Sequence, residues 1–133
     1  MNFKIIATAL TAFAAIMSLP AQAQNYDALR SAAVTIYETC AFASDTTSEA
    51  CACVAGYYGG LMTDRQFDIA ARLARIGMIA EGGGSEAAVN TEVQAYLAAG
   101  YTVDEGSAVE ALLIGDGLRG EVICGAFEGN ASV

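Results

Sequence analysis

Apolar and polar positions alternate along this chain with the period of an α-helix, and nowhere with the period of a strand. After an uncharged apolar run from Ile5 to Leu19, the pattern predicts five helical stretches. The first spans about Asn25 to Phe42, with Asn25 as cap and Asp27 in the first turn, where negative charge suits the helix dipole. Tyr26, Leu29, Ala33, Ile36, Tyr37 and Cys40 fall on one stripe of it. Ser44 to Ser48 is a polar break, because these side chains compete for backbone hydrogen bonds. The second helix starts near Glu49, capped by Ser48 or Thr47, and runs to about Met62.

Thr63 and Gln66 form a predicted capping box that starts a third helix, ending at Glu81. Asp64, Arg65, Asp68, Arg72 and Arg75 gather on one narrow arc, and apolar residues fill most of the rest. An apolar arc that wide belongs to a helix packed on several sides, so the third helix is expected at the centre. Gly82-Gly83-Gly84 ends it as a flexible loop. Ser85 caps a fourth helix through Ala99, with Val89, Val93, Tyr96 and Leu97 inward, and Gly100 stands where a left-handed C-cap residue belongs. Thr102 and Glu105 suggest another capping box, opening a fifth stretch from Val103 to Phe127. Its inner set is Val109, Leu112, Leu113, Leu118, Ile123 and Phe127, and Gly115-Asp116-Gly117 is a candidate break. The expected fold is an all-α bundle of about five helices.

The apolar run changes what counts as the domain. Lys4 precedes it, Pro20 follows it, and Ala21-Gln22-Ala23 has the small-x-small form of a cleavage site. At 15 residues the run is short for a bilayer span, so residues 1–23 read as a secretory signal peptide and 24–133 as one domain, periplasmic or secreted. Removal of 23 of the 133 residues leaves 110, enough for one core. The only lysine leaves with the leader, and five arginines then face 15 acidic residues, a net charge of −10. Such a surface repels nucleic acid and anionic lipid and favours a basic partner.

Four cysteines, Cys40, Cys51, Cys53 and Cys124, in an exported domain of this size point to two disulfides. On a helix, Cys51 and Cys53 point about 200° apart, so each must reach a different neighbour. One bond should close the short loop to Cys40 and the other should reach Cys124. Both assignments remain open. The favoured pairing is Cys40–Cys53 with Cys51–Cys124, because Cys53 lies about as far into its helix as Cys40 lies from the end of the preceding one. Cys51 shares the face of Val54, Ala55, Tyr58 and Leu61, which has the character of the core side.

The remaining chemistry is sparse. The chain has no histidine, so a Ser-His-Asp triad or Cys-His dyad cannot be built. The C-x-C spacing fits neither zinc pairs nor a C-x-x-C redox helix, and no metal or cofactor is expected. Gly56, Gly59 and Gly60 form a small-residue surface, expected to admit a neighbouring helix carrying Gly117, Gly120 or Gly125. On that reading a leucine at position 56 loosens the bundle. The alternative gives Tyr57 and Tyr58 to a protein partner, since tyrosine is enriched at interfaces. The arginines of the third helix read as a salt-bridged face. Asn130-Ala131-Ser132 matches a glycosylation sequon.

A first helix ending in cysteine, a polar loop and then CACVAGYYGGLMTD resembles the small periplasmic immunity proteins of bacterial type VI secretion systems. The resemblance covers about 25 residues. It implies an exported, disulfide-stapled helical domain, with Cys53, Gly56, Tyr57 and Gly60 in the places of that class's cysteine, Gly-Tyr pair and following glycine. The extra Cys51 and the lack of a cysteine-proline near the C-terminus depart from the pattern. The function expected is non-catalytic protein binding, as an immunity or inhibitor protein. The alternative is a periplasmic stress or acid chaperone, a class whose known members have another cysteine layout and abundant lysine.

Overall fold

The computed structural model describes residues 26–43 and 46–126. The expected signal peptide, Asn25, part of the polar break, Phe127 and the Asn130 sequon lie outside the described residues. Among those described, every regular element is helical: α1 (residues 26–43), α2 (Ser48–Leu61), α3 (Asp64–Glu81), α4 (Glu86–Ala98), α5 (Val103–Leu112) and α6 (Leu118–Ile123). A π-helical turn, Leu113–Gly117, joins α5 to α6.

The helix starts are set by their caps. Thr47 accepts the Ala50 N–H on α2 and Ser85 accepts the Ala88 N–H on α4. Both expected capping boxes are complete: Thr63 with Gln66, and Thr102 with Glu105. Each satisfies N–H groups that the first helical turn leaves without partners. Gly100 has φ +83°, the left-handed conformation that ends α4. The triple glycine is a tight turn rather than a loose loop, closed by the Gly84 N–H on the Ile79 carbonyl at 2.8 Å.

α3 is the central helix, packed against α2, α4 and α5. Phe67, Ile69, Ala70 and Ala71 are buried along it. They meet Val54, Ala55 and Tyr58 of α2, Ala32 and Ile36 of α1, Tyr96 of α4 and Val109 of α5 in one core.

Three expected inner faces are shifted. On α1 the innermost residues are Ala32 and Ile36, while Tyr26 is exposed at the edge of an open groove that Gly56 and Gly59 of α2 also line. On α4, Leu97 is exposed and Tyr96 buried. Tyr96 lies seven residues from Val89, nearly two whole turns, whereas Leu97 is about 80° further round. On the C-terminal stretch, Leu118 and Ile123 are exposed. The chain does not break at Gly115-Asp116-Gly117. It continues through the π turn with helical dihedrals at Leu113 and Gly117, so α5 and α6 form one rod. The wider turn rotates α6 relative to α5, and Gly117 and Gly120 turn inward in place of Leu118 and Ile123.

Both disulfides form, with the pairing opposite to the favoured one: Cys40–Cys51 and Cys53–Cys124, each with Cα atoms 5.6 Å apart. The core side of α2 is the expected one, since Cys51, Val54, Ala55 and Tyr58 are all buried. The difference lies in which neighbour covers that side. Cys40 succeeds Ala32 and Ile36 at four-residue steps, so it belongs to the inward stripe of α1 and meets the inward Cys51. The outward Cys53 is left for Cys124.

Candidate functional site: a cleft between α1 and the C-terminal rod

α2 runs antiparallel to α6, and three pairings set their register. Cys53 bonds Cys124, Tyr57 lies over Gly120, and Tyr58 lies over Gly117. Moving four residues forward on α2 moves four residues back on α6. A Cβ at Gly120 would fall inside the Tyr57 ring, so glycine is required there for close approach. At Gly117 a Cβ would lie 3.4 Å from the Tyr58 ring. Of the partner glycines of the expected close approach, Gly117 and Gly120 are therefore right and Gly125 is not, and neither are the α2 glycines. A Cβ at Gly56 or Gly60 meets nothing within 4 Å, and at Gly59 only the Phe67 ring tip at 3.9 Å. Tyrosine rings on the other edge of α2 hold the helices together, and leucine at Gly56 has open space.

Tyr57 and Tyr58, the candidate partner contacts, serve this packing. Tyr58 is only 6% exposed, so its ring is not on the surface. Its hydroxyl donates to Glu121 Oε1 at 2.6 Å. Burial, and after it the Glu121 carboxylate, pushes the Tyr58 phenol well above its ordinary pKa and keeps it neutral. Tyr57 is half-buried against Gly120.

Beside the Tyr58–Glu121 pair opens a cleft of about 500 Å³. One wall is α1, with Ile36, Thr39, Cys40 and Ala43. The facing wall is the rod, with Glu110, Leu113, Ile114, Leu118 and Glu121. Val54 of α2 and Ala70, Leu73 and Ala74 of α3 form the floor. At one end the Thr46 hydroxyl donates to the Ala126 carbonyl at 2.9 Å, joining the start of α2 to the chain beyond α6. The Cys40–Cys51 bond anchors one wall to the floor and Cys53–Cys124 anchors the other. A second, more open groove of about 570 Å³ lies between Tyr26, Arg30 and Tyr37 of α1 and Gly56 and Gly59 of α2.

The arginines of α3 are salt-bridged, as expected, and two of the three reach other helices. Arg65 pairs with Glu105 of α5 at 2.7 Å, Arg75 with Glu92 of α4 at 3.0 Å, and Arg72 with Asp68 at 2.9 Å. Tyr101 lies under the Arg65 and Arg72 guanidinium groups, 4.6 and 5.5 Å from its ring centre, and its hydroxyl donates to Asp68. Hydrogen bonds from Arg65 and then the Thr102 N–H hold the Glu105 carboxyl at about 2, below the usual range. This cluster ties α3 to α4 and α5, and none of its residues lines the cleft.

Among the described residues no group of three or more histidine, cysteine, aspartate or glutamate side chains could hold a metal ion, and no helix is long and apolar enough to cross a membrane. No protein-family model matches the chain, and no curated protein or solved structure matches it.

The sequence reading missed Glu110, Glu121 and the cleft itself. A signal for the register was present: Tyr57 lies four residues after Cys53, and Gly120 four before Cys124. A large residue and a glycine at matched distances from two cysteines fit an antiparallel helix pair. The cleft had no such signal, since its walls are brought together by elements far apart in sequence.

Proposed function

We propose that this chain is an exported, non-catalytic protein-binding module, acting as an immunity or inhibitor protein. One observation carries the reading: Ile114, Leu118, Val122 and Ile123 on the C-terminal rod are 70, 44, 63 and 66% exposed. Isolated apolar residues on a surface are ordinary, but a cluster on successive turns of one element marks an interaction surface. The Cys53–Cys124 bond holds this element in place, so little conformational freedom is lost when it docks. Net charge favours a partner whose apolar patch has a basic rim. Export is inferred from the leader-like run together with the two disulfides, which are compatible with an oxidising compartment.

The test is a pull-down with the oxidised protein as bait, repeated with Val122→Glu/Ile123→Glu, whose exposed positions leave the core untouched. One stoichiometric partner, lost with the double variant, supports the module. Many unfolded clients, retained by the variant, would replace it with the chaperone reading.

A further inference from the structure

Among the described residues, Glu110 and Glu121 are the charged ones that line the cleft, and no arginine or lysine does. They stand on one wall, on either side of the π turn that carries Ile114. Glu121 is held in place by the Tyr58 hydroxyl, which donates to its Oε1 at 2.6 Å. The Thr39 hydroxyl on the opposite wall is engaged with the Thr35 carbonyl at 2.8 Å. The rest of the lining is dominated by apolar side chains, Ile36, Val54, Leu73, Ile114 and Leu118 among them. A volume of about 500 Å³ falls inside the range of small-molecule sites, which pair an apolar lining with a few fixed polar groups.

A carboxylate beside apolar walls loses hydration and gains most from an opposite charge brought to it. Two carboxylates on one wall disfavour an anion and leave a neutral ligand without a charged partner. π turns of this kind recur where a helix is adapted to a binding site. We propose that the cleft binds a small cationic amphiphile, its apolar body between α1 and the rod and its cationic head at the Glu121 carboxylate, with Glu110 further along the same wall adding to the negative field. The cleft shares Ile114 and Leu118 with the exposed cluster of the partner-binding reading, while Val122 and Ile123 lie outside its lining, so Val122→Glu/Ile123→Glu tests that reading without touching the cleft. Among the described residues the more open groove against Gly56 and Gly59 is lined by Arg30 and by no carboxylate, so the same ligand does not suit it.

The test uses the oxidised protein and decyltrimethylammonium below its micelle concentration, titrated by calorimetry, with decyl sulfate and decanol as comparisons. One molecule should bind per chain, with the ammonium preferred. Glu121→Gln should weaken it about tenfold, the scale of one lost charge-assisted contact, and Glu110→Gln, which removes a more distant charge on the same wall, should weaken it less. Glutamine at position 121 still accepts from Tyr58, so the packing is kept. Glu86→Gln on α4 removes the same charge away from the cleft and should leave binding unchanged. Ala43→Trp places a large ring at an exposed position on the cleft wall and should abolish binding while the thermal midpoint holds. Equal binding of the sulfate or the alcohol, equal weakening by Glu86→Gln, or full binding by a folded Ala43→Trp protein would each overturn the proposal.

Discussion

Two single-methyl substitutions should move stability in opposite directions. At Gly120 the new Cβ falls inside the Tyr57 ring, and the ring must leave its place against α6. Overpacking of this kind costs about 1–3 kcal/mol. Alanine returns about 1 kcal/mol through its better helix propensity. Gly120→Ala should therefore be destabilised by about 1 kcal/mol. Gly56 sits inside α2 with nothing within 4 Å of its new Cβ, so Gly56→Ala keeps only the propensity gain, about 0.5–1 kcal/mol. For a domain of this size, 1 kcal/mol corresponds to roughly 4 °C, so the two midpoints should differ by about 6–8 °C. Thermal unfolding monitored by circular dichroism, with disulfides intact, measures both. Adding Tyr57→Ala to Gly120→Ala should remove the penalty, a coupling that a double-mutant cycle isolates. A Gly120→Ala protein more stable than the parent, or a Gly56→Ala protein less stable, would refute the assignment of the α2–α6 contact to the tyrosine edge.

The same geometry makes the disulfides unequal. The Cys53–Cys124 bond closes a separation of 71 residues and Cys40–Cys51 one of 11, so chain entropy assigns them about 4.4 and about 2.8 kcal/mol. Cys53→Ser/Cys124→Ser should thus lower the guanidinium midpoint more than Cys40→Ser/Cys51→Ser does. Glu105, held at about 2 by Arg65 and the Thr102 N–H, contributes stability that is present above the ordinary carboxylate range and is lost as pH falls from about 4.5 towards 2. Glu105→Gln should flatten the dependence of the thermal midpoint on pH in that window, and an unchanged slope would contradict it. Tyr58→Phe removes the hydroxyl from Glu121 and should cost about 1 kcal/mol in denaturant unfolding. It should also remove from an alkaline absorbance titration a tyrosine that ionises above the ordinary range.

Local chemistry made much of the fold legible. Thr63 with Gln66, Thr102 with Glu105, Ser85 and Gly100 act within a few residues of themselves, so spacing alone reveals their roles. The opposed directions of Cys51 and Cys53 likewise come from helical geometry. What failed depended on which helix covers which face. Helical spacing puts Tyr26 on the inward stripe of α1, although Ala32 and Ile36 lead more directly to Cys40. Both alternative pairings close a short loop and a long one, so loop length could not separate them. The π turn rotates α6 relative to α5, and strict counting at 100° per residue then puts Leu118 and Ile123 inside. The cleft depends on all of these at once: the disulfide pairing, the rotation of α6 and the direction of Tyr58.

The disulfide pairing is the most direct test, because it fixes both walls of the cleft against α2. The oxidised protein would be digested with pepsin at low pH, where thiol exchange is suppressed, and the linked fragments cleaved along the backbone between Cys51 and Cys53 in a tandem mass spectrometer. The account predicts Cys40 on fragments that retain Cys51, and Cys124 on fragments that retain Cys53. Cys40 on the Cys53 side, with Cys124 on the Cys51 side, would contradict it.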